Sequence, residues 1–356
     1  MTDVSGRPVL ITGATGLIGR RVTQILLERR VDTVLCLRDS KANRRFAATH
    51  LGARVRWGDL TDPAYVSQTL AVERPRAIVH LAAVIPPQCF EDPDLARRVN
   101  VESTRTLLAA AAEMDPPPRF VHASSIGVHG PRNPHREQGV LTVDTPIAPR
   151  DVYAAQKAIA ETLVRSAALP WLILRVGGVV DIEQSVRLDP AVMYFESTMP
   201  GNGRIHTVDV RDAGKAFANA VEAAAAQQIL MIGGDESHRK LHHEFTDEFA
   251  RALGMRRGLP DKPSSDPDVD DSWYATDWMD TAEAQQVLDF QDHTFADTLA
   301  AVRHHAGLLG LVIAPFSGLS KLVLSWMSAY PRRYAGVAEP WPRIAARWPE
   351  ALVEKE

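Results

Sequence analysis

Several features that mark particular protein classes are missing from this chain. Its 356 residues include two cysteines, Cys36 and Cys89. No metal-ligand spacing joins them and both lie in apolar surroundings, so they read as reduced core residues rather than a disulfide or thiolate-metal framework. Basic residues are not in excess, with 40 Lys and Arg against 44 Asp and Glu and a formal net charge of −4. A nucleic-acid partner is therefore not expected. Met1–Arg7 is short and polar and lacks the charged-then-apolar pattern of a secretory leader, so a cytoplasmic protein is expected. A spanning helix needs about 20 continuous apolar residues, and the most apolar stretch, 306–330, carries Lys321 and is broken by Pro315 and Gly318. The histidines show no metal spacing; His80, His122 and His129, at strand ends, read as packed, hydrogen-bonded imidazoles, and no metal is expected. Internal repeats and low-complexity tracts are absent.

What remains is the composition of a soluble globular protein. With 45% hydrophobic and 24% charged residues, the chain can bury a full core, as one large or two intimate domains. Its first half alternates short apolar runs with helical patterns. Strands are predicted at Val9–Thr12, Thr33–Leu37, Arg54–Trp57, Ala77–Leu81, Phe120–Ala123 and Trp171–Arg175. Helices are predicted at Leu17–Arg29, from Lys41, and at Ala64–Val72, Leu95–Met114 and Tyr153–Ala168. Such alternation predicts an α/β fold, a doubly wound parallel Rossmann sheet covered on both faces. The expected organisation is a dinucleotide-binding domain over 1–178, to which segments near 206–232 return, a smaller substrate-binding lobe over 179–305 and an apolar extension over 306–356. Between 181 and 203 little periodicity is found.

The first predicted strand runs into Thr12-Gly13-Ala14-Thr15-Gly16-Leu17-Ile18-Gly19. Glycines between a strand and a helix let the backbone turn tightly and approach a pyrophosphate, which the free N–H groups and dipole of the helix start then stabilise. Gly13, Thr15, Gly16, Leu17, Ile18 and Gly19 are accordingly candidate cofactor residues. The second strand ends in Leu37-Arg38-Asp39. An arginine there accommodates the 2′-phosphate of NADP, whereas an acid there bonds the ribose hydroxyl of NAD. Arg38 points to NADP, with adjacent Asp39 keeping NAD as the alternative. Asp59 and Leu60 follow the third strand, where a carboxylate can reach an adenine amino group or cap the next helix. Leu81-Ala82-Ala83 gives the small residues that a backbone running beside ribose and pyrophosphate requires.

Further along, Tyr153 and Lys157 are four residues apart in a helical pattern, so they share one face. A tyrosine titrates near pH 10, and a fixed ammonium beside it favours the phenolate. The expected consequence is a phenol able to exchange protons closer to neutrality.

These motifs together, with Asp59-Leu60, His80-Leu81-Ala82-Ala83, Val99-Asn100-Val101, Ser124-Ser125-Ile126-Gly127-Val128-His129-Gly130, Leu174-Arg175-Val176-Gly177-Gly178 and Val210-Arg211-Asp212-Ala213, occur in the order found in extended short-chain dehydrogenases/reductases. The chain resembles the NAD-dependent epimerase/dehydratase group of that family over about its first half. The resemblance implies Tyr153 as acid or base at the substrate oxygen and Lys157 as its electrostatic partner and ribose ligand. It further implies Ser125 as the hydroxyl that bonds the reacting oxygen, and Asn100 as a support for the active-site backbone and water. A homodimer, formed through the helices of Asn100 and Tyr153, is implied as well. His129 stands where the family commonly has tyrosine, and Val176 where proline is frequent. Ile126-Gly127 occupies the place of the acidic pair used for dehydration, which disfavours that reaction.

The reading favoured is an NAD(P)-dependent oxidoreductase that moves hydride to or from a carbonyl or alcohol. A nucleotide-sugar epimerase with tightly held NAD is the alternative, for which Arg187, Arg204 and Arg211 offer thin support. A dinucleotide-sensing protein without turnover is a third. For 306–330, two placements stay open: a helix packed on the body over the substrate cleft or a subunit contact, or a segment resting at a bilayer surface.

Overall fold

A computed structural model describes residues 6–136, 139–183, 189–255, 259–313, 317–330 and 334–353, with side chains outside 308–320. Arg187, Pro315, Phe316, Arg332 and Arg333 lie outside the described residues, as do the side chains of the apolar positions from Leu308 to Leu319.

The strands are β1 (Val9–Thr12), β2 (Thr33–Leu37), β3 (Arg54–Trp57), β4 (Ala77–His80), β5 (Arg119–Ser125), β6 (Trp171–Val176), β7 (Gly178–Val180), β8 (Arg204–Asp209), β9 (Gln228–Ile232) and β10 (Arg239–Leu241). Seven of them form one parallel sheet in the order β3-β2-β1-β4-β5-β6-β9. Val9, Ile11, Leu35, Val79 and Val121 pack on one face, and Leu10, Val34, Ile78, Phe120 and Ile173 on the other. Apolar residues on both sides of every central strand are what a sheet covered twice demands. Each such side chain removed from water contributes roughly 1.5–3 kcal/mol.

Strand order reverses at β1, which pairs with β2 on one side and β4 on the other, setting Thr12 opposite both Cys36 and His80. In an open parallel sheet a crevice forms outside the carboxyl ends of the strands at such a reversal. The topology therefore places a binding crevice directly beside the glycine-rich turn.

Helices cover this sheet: α1 (Leu17–Glu28), α2 (Lys41–Thr49), α3 (Pro63–Glu73), α4 (Gln88–Glu91), α5 (Pro93–Arg97), α6 (Ser103–Ala112) and α7 (Val152–Ser166). The helix expected over Leu95–Met114 is interrupted by a π-helical turn at Arg98–Glu102, which contains Asn100. The second half adds α8 (Pro190–Thr198), α9 (Val210–Ala220), α10 (His242–Ala252), α11 (Ala282–Leu288), α12 (Phe295–Ile313), α13 (Ser317–Trp326) and α14 (Pro340–Arg347). The return to the large sheet is made by α9, packed on α1, and by β9 beside β6. β8 instead joins a small sheet of order β10-β8-β7.

Around that small sheet α10 and α12 share a core of Ile182, Val210, Ala252, Phe295, Leu299 and Val302. Gly307, at φ 45°, breaks α12, and among the described residues no helix is long and apolar enough to cross a membrane. The chain then comes back to the body, where Trp341, Ile344, Trp348 and Ala351 are buried with Cys89, Phe90 and Phe195. Residues 340–352 are thus part of the fold's interior rather than an extension from it.

Candidate active site

A cavity of about 630 Å³ opens at the strand reversal, lined by Gly13, Thr15, Gly16, Arg38, Asp59, Leu60 and the run Leu81–Val84. Gly13 has φ +71°, and a Cβ on it would lie 2.6 Å from Ala82 N. Only glycine fits there, because the turn after β1 presses against the backbone leaving β4. Gly19 has a different duty: a Cβ there would meet the Gly13 carbonyl, so it lets α1 pack on the turn and does not line the cavity. No side chain caps α1, whose N-cap is Gly16. Gly16, at the start of α1, lines the crevice, so the helix begins at its edge, where an anion site would require it.

Arg38 and Asp39 both border this cavity, but they differ in their partners. Asp39 takes a two-pronged ion pair from Arg44, 2.6 Å at each oxygen, and that guanidinium holds its carboxyl below the usual range. The Arg38 side chain forms no ion pair among the described residues, while its carbonyl accepts from Asn43. Asp59 bonds the amide and hydroxyl of Thr61, at 2.9 Å each. Asp62, not Asp59, caps α3.

The adjoining end of β5 meets the start of α7. Ser125 closes β5 and its Oγ accepts from Gly127 N at 3.1 Å. Ser124, one residue earlier, is buried and donates to Glu161 Oε1 at 2.6 Å, so the period of the strand turns Ser125 alone toward Tyr153. On α7 the Lys157 ammonium lies 5.8 Å from the Tyr153 ring centre and donates to the Ala123 carbonyl at 2.7 Å.

The two residues share a face as expected, yet the phenol is shifted the other way. Burial pushes the Tyr153 phenol up, the neighbouring Cys89 and Asp151 add to this, and only Ser125, as hydrogen-bond partner, pulls it down. Burial likewise draws Lys157 down to about 8, against a smaller opposing pull from Glu161. Removal of water from around the phenol sets the direction, and the Lys157 ammonium 5.8 Å from the ring centre does not reverse it.

Asn100 works through the backbone. Its Oδ1 accepts from Val84 N at 2.8 Å, and its Nδ2 donates to the Val84 carbonyl at 2.9 Å and to Gln156 Oε1 at 2.8 Å. A single amide thereby ties the floor of the crevice to α7 between Tyr153 and Lys157. The π-helical turn gives it that reach, a distortion often found where a helix serves a site.

Behind the site lies a buried ion pair that carries no sequence signature beyond Arg175 itself. Arg175 grips both oxygens of Glu161, at 2.9 and 2.7 Å, and each side chain is 2% exposed. The histidines are structural. His80 bridges the hydroxyls of Thr12 and Thr104 at 2.7 and 2.9 Å, and burial pulls it down to about 3, so it stays neutral. His129 faces the Pro146 carbonyl and Arg175. His122 departs from the expectation of a hydrogen-bonded ring: it is stacked on His80, and neither nitrogen has a hydrogen-bond partner among the described residues. No group of three or more His, Cys, Asp or Glu able to hold a metal is present among the described residues.

Sequence periodicity missed α8, although Asp189-Pro190 marks its start. Asp189 caps the helix by accepting from Ala191 N at 2.8 Å, with Pro190 in the first turn, a combination that signals a helix start without any periodicity. Tyr194 and Phe195 of α8, and Trp341 and Trp348 near α14, join Tyr153 in one apolar cluster. No local motif announces that meeting.

Comparison with known proteins agrees with this geometry. Residues 9–179 match the model of the NAD dependent epimerase/dehydratase family. D-erythronate dehydrogenase of Cupriavidus necator is 35% identical over 165 residues, which cover 44% of this chain and 49% of that protein. The dTDP-glucose 4,6-dehydratase of Neisseria gonorrhoeae is 30% identical over 176 residues, 44% of this chain and 49% of that protein. The chain spans about half the length of the curated relatives it matches. The crystal structure of Thermus thermophilus UDP-glucose 4-epimerase in complex with NAD superposes with a TM-score of 0.66 at 22% identity, covering 84% of this chain and 98% of that one. That of Pal from Bacillus thuringiensis gives 0.68 at 19%, covering 85% and 99%. At such identities the likeness establishes the fold.

Proposed function

We propose that the chain is an oxidoreductase that uses NADP to interconvert a carbonyl and an alcohol. The carrying observation is the convergence of Ser125, Tyr153 and Lys157 beside a crevice of about 630 Å³ that opens on the glycine turn. Gly13, Gly16 and the first turn of α1 would hold the pyrophosphate, Asp59 and Leu60 the adenine side, and Leu81–Ala83 the ribose face. Arg38 would meet a 2′-phosphate. Because Arg44 already engages Asp39, the acid next to Arg38 is less available for a ribose hydroxyl, which supports NADP over NAD. When bound, the nicotinamide supplies or accepts hydride.

The protein's share is proton handling and placement. In reduction the substrate carbon gains the hydride and its oxygen gains the Tyr153 proton, leaving an alcohol. Ser125 holds that oxygen within reach of the phenol. A phenol with a raised pKa keeps its proton at neutral pH and gives it up as negative charge builds on the oxygen. The Lys157 ammonium, fixed by the Ala123 carbonyl, stabilises the phenolate left behind.

The epimerase alternative has the T. thermophilus fold in its favour, but it requires cations for a diphosphate. Arg204 is drawn to Asp277 at 3.6 Å and lies over the Trp278 ring, and Arg211 is committed to Asp209 at 2.7 Å. The deciding experiment is turnover of NADPH with a carbonyl panel, set against interconversion of nucleotide sugars without net cofactor use. Carbonyl reduction is expected, with Tyr153→Phe lowering kcat by about a hundredfold to ten-thousandfold. Epimerisation by the purified protein with no NADPH consumed would replace this reading.

A further inference from the structure

Tyr153 does not stand in a polar cleft. With Val84, Ala191 and Tyr194 it forms a partly exposed surface against a buried group of rings. Phe90 contacts Phe195 and Trp348 at 5.7 Å each, Tyr194 meets Trp348 edge-on at 5.7 Å, and Tyr274 stacks on Trp341 at 5.1 Å. The polar tips on this wall are spent on backbone: the Tyr194 hydroxyl donates to the Arg343 carbonyl at 3.0 Å, and the Trp341 indole to that of Trp273 at 3.0 Å. Val84 belongs both to this surface and to the lining of the dinucleotide crevice. The ring surface therefore begins where the crevice ends, with the proton-carrying phenol at the junction.

Most of the wall comes from residues beyond the segment that matches the family model. Residues 340–352 are pinned to the start of α7: Val152 N donates to the Ala351 carbonyl at 2.8 Å, and the Arg150 guanidinium to that of Val353 at 2.9 Å. Leu352 bridges to Asp151 in antiparallel fashion. The Arg347 guanidinium lies over the rings of Tyr194 and Trp348, at 4.6 and 5.2 Å.

We propose that the partly exposed face of Val84, Tyr153, Ala191 and Tyr194, backed by the buried Trp341 and Trp348, is the substrate subsite, and that it selects a flat apolar ketone or the matching alcohol over a sugar nucleotide. The inference rests on the oxidoreductase reading and deepens it. Ring faces reward a substrate that brings apolar area out of water and stacks at an offset or edge-on. A diphosphate would lose its hydration against such a face, which offers ring and aliphatic carbon in place of water.

The test measures binding apart from turnover. Full-length protein saturated with NADP is titrated with naphthyl methyl ketone and, separately, with UDP-glucose, for wild type, Trp348→Ala, Trp348→Phe and Tyr194→Leu. The ketone is expected to bind wild type, to bind at least tenfold more weakly to Trp348→Ala and Tyr194→Leu, and to recover with Trp348→Phe. NADPH affinity should be the same in all four, which controls for folding; Tyr194→Leu, on the partly exposed face, serves if Trp348→Ala is unstable. Tight UDP-glucose binding with no ketone binding, or ketone binding indifferent to both substitutions, overturns the subsite. Ketone binding at the wall without hydride transfer to any carbonyl would instead leave the subsite standing and remove the oxidoreductase reading.

Discussion

Arg38 and Asp39 are adjacent, exposed and opposite in charge, and cofactor choice turns on which one has a hand free. With Asp39 held by Arg44 in a two-pronged pair, Arg38→Ala should weaken NADPH by about thirtyfold and leave NADH nearly unchanged, since a charge-assisted hydrogen bond contributes about 2 kcal/mol. Steady-state KM values for the two reduced cofactors check this. Equal losses for both would mean that Arg38 meets no 2′-phosphate. Lys157 sets a pH limit. Its folded pKa of about 8 lies below the unfolded value of about 10.4, so the ammonium is lost first in the folded protein as pH rises. The logarithm of kcat/KM should fall above pH about 8 for a step that needs the charge. Stability moves the opposite way: between those two pKa values the unfolded chain holds more protons, so this group's contribution to stability rises with pH. A flat rate profile through pH 9 would detach Lys157 from the proton step.

Residue-level reading of the sequence went far with these groups and failed where environment overrode chemistry. Ser125, Asn100, Tyr153 and Lys157 were legible from motif order, and the structure brings all four to the joint of β5, α7 and the crevice floor. The direction of the Tyr153 shift was not legible, because i,i+4 spacing reports a neighbour and says nothing of how much water the fold removes. That the His122 ring has no hydrogen-bond partner among the described residues was hidden for the same reason: a strand-end histidine looks alike in sequence whether or not a hydroxyl happens to face it.

Among the elements, the central parallel strands were readable because β1, β2, β4 and most of β6 are short continuous apolar runs between turn residues, the pattern of a strand buried on both faces. Helix α8 was not, because its faces meet different neighbours. Ala191, Tyr194 and Phe195 look toward the ring cluster, while Met193 packs with Ala250, Met255 and Leu324, so no single apolar stripe remains. Its start relies on the Asp189 cap, and Asp189→Ala should cost about 1 kcal/mol of stability, measured by urea unfolding. If α8 positions Tyr194 for substrate, the same variant should raise KM for the apolar ketone more than it lowers kcat. No change in either quantity would show that the cap does not secure this helix.

For the molecule as a whole, the C-terminal residues are the part whose place most needed three dimensions. The apolar stretch 306–330 left open a cover over the cleft, a subunit contact or a bilayer surface; Leu324 and Tyr330 are buried against the body, and 340–352, further on, close the ring cluster beside α7. Trp341 is 1% exposed, so Trp341→Ala should destabilise the chain by about 3–5 kcal/mol, as expected for emptying a buried ring site. That is a large part of a typical total of about 5–15 kcal/mol. Urea midpoints for the two proteins check this, and a loss under 1 kcal/mol would mean that the segment is only loosely applied.

The amino-acid order by itself determined the doubly wound sheet, the glycine turn at its centre and the Ser, Tyr and Lys set, because each depends on short-range periodicity or on local backbone sterics. The tertiary structure decided which serine is turned toward the phenol, which of two neighbouring charges is engaged, how far burial shifts the proton-carrying groups, and that a segment some 190 residues after Tyr153 walls it in. Those outcomes depend on contacts between distant parts of the chain and on the water that such contacts exclude, and neither is written in any local stretch of sequence.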